Sequence, residues 1–422
     1  MGSVLVGTAG VDITPPRGIE LAGYAFSVRP VEEVHDPLSA TVLAVRAGDR
    51  ALALVGLDVV AVGSDFLAAV RRTLPYDVTV IACASHTHSG ATLQRFPFDS
   101  RFYGIVDDAY LTSVAERIGT AIDEALARAL PARIGVGCGR VTTVAANRRQ
   151  SDGQIDPDLG VIRVEDVDGR LLVLLLNYAC HPTVLHADNR AASADFPGAV
   201  RQRLRTSLGD VPILWTTGAA GDQSTRYTRR AATFDEVDRL GSVLAEEALR
   251  IIPAIQTHPL EFLAVRAGVA HLPARALPAV GDIQTALDRA MRDLRAVRGG
   301  PVSTERAAEN QVFGYQQALT YARHGFPPAI KAKLWAVALN TIHLIGLPVE
   351  PFVEIGLAIK ARCRQPCWVL GYTNEMIGYV PTAAAYADGG YEVGAAVVGP
   401  EAEEILVNES CALLATLEAQ TP

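Results

Sequence analysis

The sequence predicts an α/β fold: a mixed, partly parallel β-sheet core flanked by helices, with the active site at the carboxyl ends of strands. Three observations predict it. Short β-rich apolar runs alternate with amphipathic helical patterns through most of the 422 residues, the rhythm of an α/β architecture. Apolar residues make up 49% of the chain and charged residues 20%, the balance of a globular protein with a large core. Polar clusters follow directly on the apolar runs, where α/β sheets present ligand-binding loops.

Taken in order, residues 51–62 and 78–84 read as strands, with a helix over 65–73 between them. A long helical pattern covers 108–130. Strands are predicted at 133–138, 160–167, 171–178, 212–217 and 261–272, and helices at 197–207 and 234–252. The rhythm then breaks. Residues 282–297 and 304–323 carry helical patterns separated by Gly299-Gly300-Pro301. They form a helical hairpin inserted between strands: a lid, a dimer surface or a plain packed layer. A strand at 336–345, a helix at 350–362, a strand at 367–372 and a final helix at 400–417 complete the chain. No internal repeat or low-complexity linker divides it. Residues 1–422 are expected to be one catalytic domain with a helical insertion over about 275–330.

Composition removes several function classes. Net charge is −8, and the basic residues form doublets such as Arg148-Arg149 and Arg229-Arg230 rather than tracts, so no nucleic-acid surface is expected. The longest apolar runs, 171–178 and 335–347, are too short to cross a bilayer. Met1-Gly2-Ser3 passes directly into Val4-Leu5-Val6 without a leader pattern, which predicts a cytoplasmic protein. The six cysteines match neither a CxxC zinc pair nor a secreted disulfide framework and read as small buried thiols. Cys363 and Cys367 could instead share a helix face as a metal or redox pair.

Five polar clusters carry the chemistry. Ser85-His86-Thr87-His88-Ser89-Gly90 follows the strand at 78–84, and His181-Pro182-Thr183 follows 171–180. Gly221-Asp222-Gln223-Ser224 follows 212–217, Pro348-Val349-Glu350 follows 336–347, and residues 374–379 follow 367–372. An HxH pair in an extended segment puts both imidazoles on one side, suited to a metal or to a ligand and its catalytic neighbour; the alternative is a turn with two solvated histidines. His181 reads as a ligand or a hydrogen-bonded core residue, and His186 as a loop residue. Glu350 is a metal carboxylate or the N-terminal acid of the helix after it. Ser224 is a nucleophile, an oxyanion donor or a turn former. HExxH and GxSxG are both missing, which argues against a helix-borne zincin and an α/β-hydrolase triad. Gly135-Val136-Gly137-Cys138-Gly139 has the wrong spacing for a dinucleotide loop.

Together these residues resemble the amino-terminal catalytic region of the neutral/alkaline ceramidase family. The resemblance begins at Gly7-Thr8-Ala9-Gly10-Val11-Asp12-Ile13-Thr14-Pro15-Pro16. It continues through SHTHSG, Asn147-Arg148, HPT at His181, Ser193-Ala194-Asp195, GDQS, PVE at Glu350 and the YVPT run from Tyr379, in order from about residue 5 to about 395. It implies one Zn2+ held by His86, His181, Glu350 and Tyr379, with Tyr372 as the fallback for the phenolate. His88, Arg148, Ser224, Thr382 and Tyr391 would line the reaction centre, and Asp195 would stand behind the site or structure its loop. It further implies hydrolysis of a small-molecule N-acyl amide, ceramide-like or other, by metal-activated water, with Ser224 assisting or itself attacking. The alternatives are a zinc esterase or lactonase, a catalytically silent metal-binding protein of the same fold, and a metal-free serine hydrolase using Ser224 and His88. Oligomeric state is left open.

The chain also departs from the family. It is expected to lack the carboxyl-terminal β-sandwich of larger members. Ala91-Thr92-Leu93-Gln94 stands where ceramidases carry a Pro-Gly-Gly run, and Thr225-Arg226 where they carry Pro-Asn. The segment from Glu350 to Tyr379 is shorter. These differences surround the substrate entrance, so the hydrolytic machinery transfers better than the sphingolipid preference.

Overall fold

The computed structural model describes residues 4–25, 27–96, 104–300, 302–325 and 327–420; the amino-terminal Met1-Gly2-Ser3 lies outside them. The larger sheet contains β1 (Val4–Asp12), β2 (Ser39–Ala47), β3 (Arg50–Leu57), β4 (Thr79–Ala84), β5 (Leu130–Arg140), β6 (Asp158–Asp166), β7 (Leu171–Tyr178) and β8 (Ile213–Thr217). Its order is β8-β7-β6-β5-β1-β2-β3-β4. The β3/β4 and β7/β8 pairs are parallel and the rest antiparallel. A second sheet runs in the order β9 (Leu263–Pro273), β10 (Ala329–Leu339), β11 (Ile342–Gly346) and β12 (Cys367–Leu370), with β11/β12 parallel.

Side-chain alternation explains how these sheets stack. Along β2, Ala40, Val42 and Ala44 enter one apolar core while Leu43 and Val45 enter another. Leu52 and Leu54 of β3, Ile81 of β4, Val173 and Leu175 of β7, and Trp335, Val337 and Leu339 of β10 share that second core. It lies between the two sheets. The opposite faces are covered by helices: α1 (Ser64–Thr73) and α2 (Asp108–Ala127) over one half of the large sheet, and α3 (Phe196–Leu208) and α4 (Phe234–Ile251) over the other. Helices α7 (Val353–Arg362) and α8 (Ala402–Glu418) cover the second sheet. Strands buried on both faces read as unbroken apolar runs, as Leu171–Tyr178 does. For the same reason β2, with little polar alternation, gives no strand signal of its own.

Local chemistry sets the boundaries. Asp107 caps α2 by accepting from the Tyr110 N–H at 2.8 Å. Helix α3 ends at Gly209, whose φ of 86° suits glycine. The strand expected at 336–345 is in fact two, β10 and β11, reversing at Asn340. That residue adopts φ 51° and braces the turn by accepting from Glu261 N and Phe262 N. The expected hairpin is present as α5 (Val280–Val297) and α6 (Val302–His324), packed through Ile283, Leu287, Ala290, Val312 and Leu319. It is inserted between β9 and β10, which pair antiparallel from Leu263↔Leu339 to Pro273↔Ala329. No described helix is long and apolar enough to cross a membrane.

Candidate metal centre

The loops after β4, β7, β8, β11 and β12 are laced together by backbone hydrogen bonds. His86 N donates to Val59 O, His181 N to Gln223 O, Gly371 N to Thr217 O, and Ala84 N to Tyr372 O. Glu350 opens a two-residue strand, Glu350–Pro351, parallel to Tyr379–Val380, and pairs directly with Tyr379. It therefore precedes helix α7 and is not its first acid; that helix begins at Val353. Gly221 is required here, because a Cβ would lie 2.6 Å from Glu350 O. His86 is not extended. Its φ of 67° is a left-handed conformation held by the backbone bond to Val59 and by its ring.

Four side chains converge. His86 Nε2 lies 3.5 Å and His181 Nε2 3.2 Å from Glu350 Oε2, and His88 Nε2 lies 3.3 Å from His86 Nε2. His86, His88 and His181 form a group whose ligating atoms all lie within 4.8 Å of one another. All four are buried, His88 the least completely at 8% exposure.

The ring protons decide what this group is. His86 Nδ1 lies 2.7 Å from Val60 O, and His181 Nδ1 lies 2.6 Å from Ala220 O and 3.1 Å from Gln223 O. A carbonyl only accepts, so each Nδ1 carries the proton and each Nε2 of the neutral ring is a bare lone pair. Two bare lone pairs aimed at a carboxylate oxygen repel unless a cation lies among them. Backbone carbonyls that fix Nδ1–H and point Nε2 inward are the usual supports of metal-bound histidines. These residues fit a metal ion. The charge balance agrees: burial holds His181 neutral, lowering its pKa to about 4, with Arg148 adding to the effect.

The remaining predicted residues surround this group at different depths. Tyr372 is buried, stacked on His86 at 4.2 Å between ring centroids, and its hydroxyl has no hydrogen-bond partner. Arg148 donates from Nη2 to Tyr379 Oη (3.0 Å) and Gly221 O (2.8 Å) and from Nε to Glu392 (2.8 Å). Burial opposes its charge, yet Tyr379 and Glu392 raise its pKa well above the ordinary value. Tyr391 is half-buried edge-on to Tyr379 at 5.6 Å. Ser224 is buried beside His181, and its Oγ accepts from Arg226 N at 3.2 Å. Thr382 is half-buried, and its Oγ1 accepts from Ala385 N at 3.3 Å; it makes no described contact with the histidine group. Asp195 structures the loop: it accepts from Val184, Leu185 and Phe196 N–H, tying the His181 loop to α3. Asp222 likewise joins Asn147 Nδ2 (2.6 Å) to Val353 N at the start of α7 (2.9 Å). His186 is half-buried and outside the histidine group.

No sequence-family model and no curated protein matches the chain. Solved structures do. The crystal structure of neutral ceramidase from Pseudomonas aeruginosa superposes with a TM-score of 0.76 at 18% identity, over 100% of this chain and 75% of that one. A ceramidase complexed with C2 superposes with a TM-score of 0.75 at 17% identity, over 100% and 76%. The chain has a neutral-ceramidase-like fold.

Within this site, three residues escaped the sequence reading. Gly23 has φ 96°, and a Cβ there would lie 2.6 to 2.9 Å from the His88 ring. Tyr24 leans edge-on against His88 at 4.8 Å and donates to Leu185 O at 2.6 Å. Arg29 is buried, donating from Nη2 to Ala22 O (2.6 Å) and His88 O (2.9 Å). A Gly-Tyr pair and a single arginine carry no distinctive spacing, so only the fold reveals that they wall in His88.

Proposed function

We propose that the chain is a zinc-dependent hydrolase that cleaves an amide bond, with an N-acyl amide as substrate. The observation that carries this reading is the pair of proton-free Nε2 atoms of His86 and His181 facing the Glu350 carboxylate, within a ceramidase-like fold. His86, His181 and Glu350 would hold zinc, with Tyr379, whose hydroxyl accepts from Arg148, as fourth ligand. Bound there, zinc supplies Lewis-acid polarisation of the amide carbonyl and lowers the pKa of water toward ~7.

The chain's own groups would do the rest. Burial and the neighbouring His86, His181, Arg29 and Arg148 lower the His88 pKa well below its usual value and keep its ring neutral, so it would hold a proton only in passing. Its buried Nδ1 has no partner, and it is the one histidine of the three with solvent exposure. It would pass the proton to the leaving amine. Arg148 and Tyr391 would donate to the developing oxyanion. Ser224 would hydrogen-bond the reacting group from the His181 side, and Thr382 would line the outer wall.

Metal content by plasma mass spectrometry, with hydrolysis of short N-acyl amides before and after chelation, tests the reading. About one zinc per chain, with activity lost on chelation and restored by zinc, is expected. Activity indifferent to chelation would favour direct attack by Ser224 and overturn it.

A further inference from the structure

Three arginines from distant parts of the chain meet around Tyr24, the ring that leans on His88. The Arg29 guanidinium carbon lies 4.8 Å and that of Arg306, on α6, lies 6.0 Å from the Tyr24 ring centroid. Arg229 approaches from the Ser224 loop, donating to Thr183 O, and its charge bears on Tyr24 and His186. Among the described residues, no carboxylate forms an ion pair with Arg29 or Arg229, and the buried Arg29 Nε has no partner at all. Burial accordingly lowers the pKa of both, that of Arg29 to about 10. The nearby acids are committed elsewhere or compensate one cation. Asp195 accepts three backbone N–H groups, and Glu309 pairs with Arg306 at 2.6 Å. Glu20 bears on Arg29 without reaching it.

Desolvated guanidinium groups without counter-charge are costly, and positive charge gathered in one place attracts anions. The side on which they lie is informative. Tyr24 touches His88, the group that would protonate the departing amine, so the arginines flank the amine half of the substrate. We propose that the substrate is an N-acyl amino acid, whose carboxylate on the amine half is held by Arg229 and Arg306 with Arg29 fixed behind them. Hydrolysis then breaks the C–N bond, adds the water oxygen to the acyl carbon, and releases a fatty or short-chain carboxylate and a free amino acid. Planar guanidinium donors suit a carboxylate, and Arg306 gives the helical insertion a part in selection. The reaction in this inference rests on the amidase reading, whereas the carboxylate site does not.

The test compares N-octanoylglycine with N-octanoylethanolamine, each with a single amide, on the zinc-loaded enzyme. Calorimetric binding of N-octanoylglycine to the chelated protein is measured alongside. A kcat/KM preference for the carboxylate on the order of 10- to 100-fold is expected. Arg306→Met and Arg229→Gln should each lower that ratio at least about tenfold, with Arg306→Lys recovering part of it. Binding to the chelated protein should weaken in the same variants and at high salt. Equal rates on both amides, with a ratio unchanged in the variants, would overturn the inference and leave the amidase reading standing. Arginine-dependent binding of N-octanoylglycine with neither amide cleaved would support the carboxylate site and sink the amidase.

Discussion

Gly23→Ala isolates His88 from the metal ligands. The new methyl would lie 2.6 Å from His88 Cγ and 2.7 Å from Nδ1, on a backbone at φ 96°. A left-handed conformation costs a non-glycine residue roughly 1–2 kcal/mol, and overpacking adds about 1–3 kcal/mol. A loss of roughly 2–5 kcal/mol follows. Unfolding entropy of about 2.1 cal/mol/K per residue over 422 residues is about 0.9 kcal/mol/K. Tm should therefore fall by only ~2–6 °C, and the variant should fold. The displaced His88 ring should cost about 10²- to 10⁴-fold in kcat, the worth of a positioned acid–base group. Zinc per chain should stay at the wild-type level, since Gly23 touches none of the proposed ligands. Calorimetric scanning, metal analysis and amide turnover on one preparation check all three. Wild-type turnover with a lowered Tm would remove His88 from the chemistry, and loss of zinc would mean that His88 helps to hold it.

Other substitutions probe other links. Glu350→Gln should remove the charge facing His86 and His181 and with it zinc binding, so that added zinc no longer raises Tm as it does in the parent. Unchanged zinc stoichiometry would contradict this. Arg148→Met should keep zinc but lower kcat by about 10²- to 10³-fold, the cost of one oxyanion donor; single-turnover kinetics would show whether the chemical step slows. Burial raises the Asp222 carboxyl from its ordinary 3.8 to about 7, with Glu354 adding to the shift. Between those values the unfolded chain has lost a proton that the folded one keeps, so Asp222 makes stability fall as pH rises from about 4 to 7. Asp222→Asn should flatten that component of the urea midpoint measured at pH 5 and 7.5, at the cost of a poorer contact with Asn147. An identical slope in the variant would show that another group sets it.

The sequence disclosed most where burial is one-sided or where a polar cluster breaks an apolar run. The ends of β4, β7, β8, β11 and β12 were all visible, because an uninterrupted apolar strand gives way abruptly to His, Asp or Glu. Helices α3 and α4 were legible from their amphipathic faces. Strand β2 was not, since both of its faces are buried and its small residues resemble a helix interior. The break at Asn340 was hidden because β10 and β11 are apolar on both sides of it. In the site, the approach of His86 to His88 was expected from an extended HxH, whereas the chain reaches it through a left-handed His86 supported by Val59 and Val60. Support of that kind comes from backbone carbonyls, which leave no trace in residue identity. Gly23 and Arg29 were silent because neither stands in a distinctive spacing.

The insertion point of the helical hairpin has a consequence for how such a chain can change. The ladder of β9 and β10 stays in register to Pro273↔Ala329, and Ala274 N still donates to Pro328 O beyond it. The two ends of the insert therefore leave the sheet side by side, as the ends of an ordinary tight turn do. Closing a longer loop there costs only about 0.6 kcal/mol for each doubling of its length, and no strand of the core must shift to admit it. The slot can accept helices of different length and charge while the histidines, carried by the loops after β4 and β7, keep their places. On the reading proposed above, the share of recognition carried by α6 would then be exchangeable apart from the bond-breaking groups.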